Sequence, residues 1–116
     1  MIIAVVQIPA NGKMKDRPTA IKQALESSKI YHEVDGLVRK HYLYSETGGG
    51  GVYFFESREK AEAWFHSGWS DWMEGRFGVK PTLALYDNYL TLDNEAGNVR
   101  VDGEVVPSPW KAEAAE

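Results

Sequence analysis

The sequence predicts an α+β domain whose elements follow the order β-α-β-β-α-β. A β-branched run opens the chain, and two apolar-aromatic runs farther on are separated by four consecutive glycines. Apolar residues at helical spacing follow the first run and also the last of these runs. The chain has 116 residues, 43% of them hydrophobic and 26% charged, so it is long enough for one globular core and too short for two.

Composition excludes several classes of function. The net charge is −4 and the basic residues are scattered, so we expect no nucleic-acid partner, which would need clustered positive charge. The chain has no cysteine, which excludes disulfides, a thiolate nucleophile and cysteine-ligated metal. The apolar run at residues 2–8 is too short to span a membrane and lacks the preceding basic residues of a signal peptide. We therefore expect a cytoplasmic protein with no membrane partner.

The first half of the chain predicts a strand followed by a helix. Residues 2–8 are apolar at both alternating positions, which indicates a strand buried on both faces. Asp16 or Thr19 caps a helix that extends to about Val34, and Asp35-Gly36 ends it. The apolar stripe of this helix consists of Ala20, Ile21, Ala24, Leu25 and Tyr31.

The second half predicts two strands, a helix and a long last strand. Residues 37–44 and 52–55 form the strands, and residues 46–51 form the hairpin turn between them. A phosphate-binding loop is the less favoured interpretation of the glycines, because a strand rather than a helix follows them. Ser57 caps the second helix, which ends at residues 75–78, and residues 79–92 form a strand interrupted at Asp87-Asn88. The stripe of the second helix holds Ala61, Trp64, Phe65, Gly68 and Trp72, with Trp69 and Met73 beside it.

Residues 1–93 form the predicted domain and residues 94–116 an extension. Within the extension, residues 99–106 predict a small hairpin about Asp102-Gly103, and the tail from residue 110 is expected to be frayed. Helices cover only one face of the predicted sheet, yet its strands are apolar on both faces. We therefore expect a homodimer in which a second copy covers the other face.

Residues 36–65 combine a glycine before an apolar strand, a lysine followed two residues later by a tyrosine, consecutive glycines, a Tyr-x-Phe strand and a helix. With this pattern, the stretch resembles the YdhR-like monooxygenases of the dimeric α+β-barrel superfamily. The resemblance covers roughly residues 1–93, and the tryptophan-rich helix and the extension depart from the family pattern. It implies a ferredoxin-like protomer, a homodimeric barrel and cofactor-independent oxygenation of an aromatic substrate. The residues that match the pattern are Gly36, Lys40, Tyr42, Gly49 to Gly51, Tyr53, Phe55, Ala61, Ala63, Trp64, Phe77 to Val79 and Tyr86-Asp87.

Charged and aromatic side chains of the second strand are the candidate catalytic groups. Lys40 shares a face with Tyr42, while Arg39 and His41 share the other face. Lys40 or Arg39 is expected to hold a substrate oxyanion, and His41 to act as the base. The alternative is structural: an ion pair of these cations with Asp87 or a neighbouring glutamate, or extension of their ends to solvent.

Aromatic side chains are the candidates for holding a planar ring. Tyr42, Tyr44 and Tyr53 supply hydroxyl groups near the cations. Trp64, Trp69 and Trp72 either form the wall of a pocket between helix and sheet or pack in the core. The three histidines show no metal-ligand spacing, so we expect no metal and no cofactor.

The resemblance, taken together with these candidates, implies a cofactor-independent monooxygenase that acts on a small planar phenol or quinol with molecular oxygen. Two alternatives stay open on the sequence. The same pocket is suited to a binding protein without catalysis, or to an isomerase or cyclase that transfers protons and needs no oxygen.

Overall fold

The computed structural model describes residues 1–114, which form a mixed α+β structure with two antiparallel sheets and four helices. This architecture confirms the α+β class and is compatible with a ferredoxin-like fold. None of the helices described is long and apolar enough to cross a membrane. The elements are β1 (Ile2–Pro9), α1 (Arg17–Tyr31), β2 (Leu37–Ser45), β3 (Gly48–Phe55), α2 (Arg58–Trp64), α3 (Trp69–Phe77), β4 (Thr82–Asp87), β5 (Leu90–Asp93), β6 (Asn98–Val101), β7 (Glu104–Val106) and α4 (Pro109–Ala114).

The first sheet has the strand order β2-β3-β1-β4, and each neighbouring pair is antiparallel. Its β-branched central strand β1 turns every second residue toward the helices, and these residues are buried. Cross-strand partners on β3 share this face and complete the core. The buried core residues are Ile2, Ala4, Val6, Tyr31, Tyr53, Phe55, Ala61, Trp69 and Met73.

A β-bulge at the start of β2 alters the predicted alternation of side chains. Leu37 pairs with Phe55 and Arg39 pairs with Phe54, so Val38 is the extra residue. The bulge places Leu37 against the core, whereas strict alternation predicted it on the face of Arg39. As a result, Leu37 and Lys40 both lie on the helix-facing side of the sheet.

The prediction of a glycine turn at residues 46–51 was wrong, because all four glycines belong to β3. Only Glu46 and Thr47 turn the chain. The backbones of β1 and β3 approach too closely for side chains here. A Cβ added at Gly48 would lie 2.4 Å from the Ile8 carbonyl oxygen, and one added at Gly50 would lie 2.0 Å from the Val6 carbonyl oxygen.

The helices differ in extent from their predictions. Helix α1 ends at Tyr31 rather than near Val34, and its Ile21 and Leu25 are exposed because the helix contacts the sheet through smaller side chains and Tyr31. The prediction of a single second helix was wrong, because this segment forms two helices, α2 and α3, with a break between Phe65 and Gly68. The predicted cap at Ser57 is confirmed, because its Oγ accepts a 3.2 Å hydrogen bond from the Lys60 amide.

The second sheet, β5-β6-β7, extends away from the first. The predicted hairpin about Asp102-Gly103 is confirmed, with both residues at positive φ. However, β5 also joins this sheet rather than continuing β4, because the chain turns at residues 88–89. The radius of gyration is 17.2 Å, compared with about 13 Å for a compact domain of this length. Instead of a frayed tail, α4 follows this sheet, and residues 115–116 lie outside the described residues.

The face of the first sheet that points away from the helices is apolar and incompletely covered. Ile3, Val5 and Phe54 on this face are half-buried, and Tyr86 is 58% exposed. In a fully packed core these side chains would be buried. The open sheet face, as we call this surface, thus presents apolar area that no described residue of the chain covers.

Candidate functional site

A cavity of about 310 Å³ lies between α1 and the helix-facing side of the first sheet. The loop at residues 9–15 and the end of α3 complete its wall. The glycines of β3 form part of its floor, so the absence of side chains there leaves space. The residues that give this cavity its chemical character are Lys13, Lys15, Ser27, Tyr31, Lys40, Tyr42, Tyr44, Tyr53, Arg76 and Phe77.

Lys40 occupies the centre of an aromatic cage formed by three tyrosines. Its Nζ lies 3.2 Å from the ring centroid of Tyr31, 4.0 Å from that of Tyr42 and 4.6 Å from that of Tyr53. The rings attract the ammonium through their negative faces. The cage joins β2, β3 and α1, so its geometry depends on the helix as well as the sheet.

Gly51 allows the Lys40 side chain to lie across the neighbouring strand. A Cβ added at Gly51 would lie 3.1 Å from Cε of Lys40 and 3.3 Å from Cε1 of Tyr53. These distances are shorter than ordinary carbon–carbon contact. The glycine therefore has a specific function in this cage beyond strand formation.

Burial and, as the smaller cause, the positive charge of Arg76 together lower the pKa of Lys40 to about 7. Loss of hydration disfavours the ammonium, and no anion nearby compensates for that loss. Among the side chains that the structure describes, neither Lys40 nor Arg76 forms a salt bridge, so the ion pair with Asp87 that the sequence left open is not formed. The amine is thus able to gain or lose a proton near neutral pH.

The tyrosine hydroxyls are held in position by hydrogen bonds or by burial. The Tyr42 hydroxyl lies 3.0 Å from Ser27 Oγ, and the Tyr44 hydroxyl donates a 2.5 Å hydrogen bond to the Lys15 carbonyl oxygen. Burial raises the pKa of Tyr42 and that of Tyr53, so both phenols keep their protons at neutral pH. Tyr42 is therefore available as a proton donor next to the amine.

The cavity is positively charged. Lys13, Lys15, Lys40 and Arg76 line it, and none of the described lining residues is an aspartate or glutamate. The chain as a whole carries a net charge of −4, so this local excess of cations is not a consequence of composition. Such a site favours an anionic ligand with apolar or aromatic surface.

The structure brings four of the predicted site residues together. Lys40, Tyr42, Tyr44 and Tyr53 all line the cavity. Arg39 and His41 lie on the open sheet face instead. The Arg39 guanidinium carbon is 4.8 Å from the Phe54 ring centroid, and the His41 ring is 5.6 Å from it.

The tryptophans do not line this cavity. Trp69 is 4% exposed and packs in the core against Phe65, with ring centroids 4.9 Å apart. Trp64 packs between Tyr31 and Trp72, with centroid distances of 5.6 Å and 6.0 Å. Trp64 thus supports the cage from behind, because it contacts the tyrosine that lies closest to Lys40.

Sequence reasoning missed three residues of this site. Tyr31 appeared only as a member of the α1 stripe, although it is the tyrosine closest to the Lys40 amine. Arg76 was not singled out, and its position in the last turn of α3 places it at the cavity. Ser27 was missed as well. The break between α2 and α3 positions Arg76, and no pattern in the sequence pointed to that break.

Comparisons with known proteins do not show a family for this chain. No protein-family model matches the chain, and no curated protein is significantly similar to it. In the part of the chain whose side chains the structure describes, no group of three or more histidine, aspartate or glutamate residues is arranged to hold a metal ion. The cavity and the side chains that line it are therefore the basis for a proposed function.

Proposed function

We propose that the cavity binds a small planar phenol or quinol as its anion, and that the protein oxidises this substrate with molecular oxygen without a cofactor. The observation that supports this proposal is the Lys40 amine, enclosed by three tyrosine rings in a cavity lined by cations. An aromatic wall suits a flat ring. A cation next to it, in an environment with little water, stabilises an oxyanion.

The first step of the proposed reaction is loss of a proton from the bound substrate. The neutral Lys40 amine accepts this proton and becomes an ammonium beside the anion that it has created. Arg76 adds a second positive charge at the same cavity. Because the ammonium is favoured once an anion is bound, substrate ionisation and lysine protonation support each other.

The second step is reaction of the electron-rich anion with oxygen. The substrate form that this step needs is an anthrone, the keto tautomer of a planar phenol. Its deprotonated ring carbon transfers an electron to O₂, and the two radicals combine to a peroxide anion on that carbon. The remaining C–H proton moves to the outer oxygen as the O–O bond breaks, which gives the carbonyl group and hydroxide. Hydroxide then takes the proton from the Lys40 ammonium and becomes water. In balance, CH₂ and O₂ become a carbonyl group and water. The protein contributes orientation, a cavity that excludes water and charge stabilisation.

We also infer that two copies associate through the open sheet face to form a dimeric α+β barrel. Apolar residues on this face are only half-buried, and sheet-to-sheet packing would cover them. The second sheet projects from the protomer and exposes its Leu90 and Leu92. It also carries Asp93, Asp102 and Glu104, whose charges complement Arg39 at the open sheet face. The projecting sheet is therefore suited to contact the partner.

The test is oxygen uptake with a panel of hydroquinones and anthrones, run in air and under nitrogen. Wild-type protein is expected to consume oxygen above the autoxidation blank, and Lys40→Met to lose about 100-fold or more of this rate. Lys22→Met, which removes an exposed lysine outside the cavity, serves as the matched control. Turnover under nitrogen would instead indicate an isomerase or cyclase. Ligand binding with no turnover in either atmosphere would indicate a binding protein.

A further inference from the structure

The amine of Lys40 has the surroundings of a nucleophile rather than those of a structural cation. Among the described residues, this amine forms no salt bridge, and it makes no hydrogen bond to another side chain or to the backbone. A lysine that serves only stability at such a depth is normally paired with an acid. Here the amine borders an open cavity, and its neighbours are ring faces and a second cation.

We propose that the Lys40 amine forms an imine with the carbonyl carbon of a small, anionic aromatic aldehyde or ketone bound in this cavity. The proposal uses the same cavity as the oxidation described above but does not depend on oxygen. A lysine desolvated in an apolar pocket beside another cation is an established route to an activated amine. The lowered pKa leaves about half of the Lys40 amine unprotonated near pH 7.

The bond changes balance with groups that the cavity supplies. Nζ attacks the carbonyl carbon, and a carbinolamine forms as a proton moves from nitrogen to oxygen. The C–O bond then breaks, the nitrogen loses its second proton, and the oxygen leaves as water. The Tyr42 hydroxyl, which lies 3.0 Å from Ser27 Oγ, belongs to a ring of the cage and is suited to donate a proton to the departing oxygen. Arg76 is placed to hold a carboxylate on the ligand.

Other lysines of the cavity lack this environment. Lys15 lies at the cavity wall, but its Nζ donates a 3.0 Å hydrogen bond to Gln23 Oε1 and is exposed. Lys13 is exposed as well. In the described part of the chain, neither of these amines is enclosed by aromatic ring faces as the Lys40 amine is by Tyr31, Tyr42 and Tyr53. Reaction at neutral pH should therefore select Lys40.

The experiment is reductive trapping of wild-type protein at pH 7 with 4-carboxybenzaldehyde and sodium cyanoborohydride, followed by peptide mapping. The expected result is one carboxybenzyl group on Lys40, introduced at least roughly tenfold faster than on the exposed Lys22. Labelling of Lys40 no faster than Lys22 would overturn the proposal. The mapping uses the unaltered chain, so the result does not depend on whether a Lys40 variant folds.

A second comparison tests the anionic part of the proposal. Uncharged benzaldehyde is expected to label Lys40 more slowly than the carboxylated probe, and Arg76→Gln is expected to remove most of that difference. Equal rates for the two probes would overturn the assignment of Arg76 as the anion-binding group. Oxygen uptake is a separate measurement. Imine trapping without oxidation would refute the oxidation and leave this proposal standing, and oxidation without trapping would do the reverse.

Discussion

Replacing Lys40 by methionine is expected to change how the stability of this protein depends on pH. In the folded protein, burial lowers the pKa of Lys40 from 10.5 to about 7. Between these two values the unfolded chain binds more protons at this position than the folded protein does. Stability therefore rises as pH rises through this window, and the destabilising effect of the charged amine is greatest at pH 7 and below.

The size of this effect follows from the two pKa values. At pH 7 the folded amine is half protonated and the unfolded amine is fully protonated, whereas at pH 9 the folded amine is neutral. Linkage then gives a rise of about 2 kcal/mol in the free energy of unfolding between pH 7 and pH 9. Methionine has a similar length and no titrating group, so Lys40→Met should lose this contribution. The variant is expected to be more stable than wild type at pH 7, and by a smaller margin at pH 9.

Urea denaturation at pH 7, 8 and 9 measures this difference directly. All proteins are compared at one protein concentration, because association would shift apparent stability. Lys22→Met provides the control for the loss of an exposed lysine and is expected to follow wild type across the range. If wild type and Lys40→Met gave parallel curves from pH 7 to pH 9, the amine would not titrate in this window, and our account of the cage would be refuted.

Three further predictions address the cage, the reaction and the dimer. Gly51→Ala should displace the Lys40 side chain and lower turnover about tenfold or more, because the position of the reacting amine depends on the cage. The control is Gly75→Ala, whose Cβ meets open space and which should leave turnover unaltered. Equal rates for both variants would contradict this role of Gly51. Turnover measured as kcat/KM should rise with pH through about 7 as Lys40 loses its proton, and a profile that is flat from pH 6 to pH 8 would remove Lys40 as the base. Deleting residues 95–116 removes β6 and β7 of the projecting sheet and should raise the dimer dissociation constant about tenfold or more in sedimentation equilibrium. An unchanged dissociation constant would show that these strands do not contact the partner.

Local patterns in the sequence predicted most of the strands. The β-branched run of β1 and the turn residues Asp102-Gly103 both act within a few residues, and the structure confirms both. The cap at Ser57 is equally local, since its hydroxyl contacts an amide three residues away. Features that depend only on residues a few positions apart can be predicted from the sequence without knowledge of the tertiary structure.

The glycines of β3 show where local reasoning failed. Four glycines in a row are typical of a turn, because glycine tolerates unusual backbone angles. In the structure they form a strand, because β1 approaches their backbone closely and a cavity needs space above them. The contacts with Ile8 and Val6 of β1 concern residues 40 or more positions away in the sequence, so no pattern near Gly48 could contain them. The break between α2 and α3 likewise followed from no local pattern that we recognised.

The candidate site, too, was predictable from the sequence only in part. The alternation along β2 placed Lys40 and Tyr42 on one face and Arg39 and His41 on the other, and the structure confirms that separation. The sequence could not indicate which face lines the cavity. That choice depends on the side of the sheet against which α1 packs.

The sequence by itself determined the α+β class, the presence of most of the strands and the lysine-tyrosine pattern of β2, because these depend on side-chain period and on neighbours in the chain. Only the tertiary structure decided that Tyr31, Tyr42 and Tyr53 meet around one amine with Arg76 nearby. The packing of α1 and α3 over the sheet removes water from Lys40 and leaves it without an acid partner. A partly dehydrated lysine beside a second cation results from that packing, and this makes an ordinary strand residue the centre of a candidate active site.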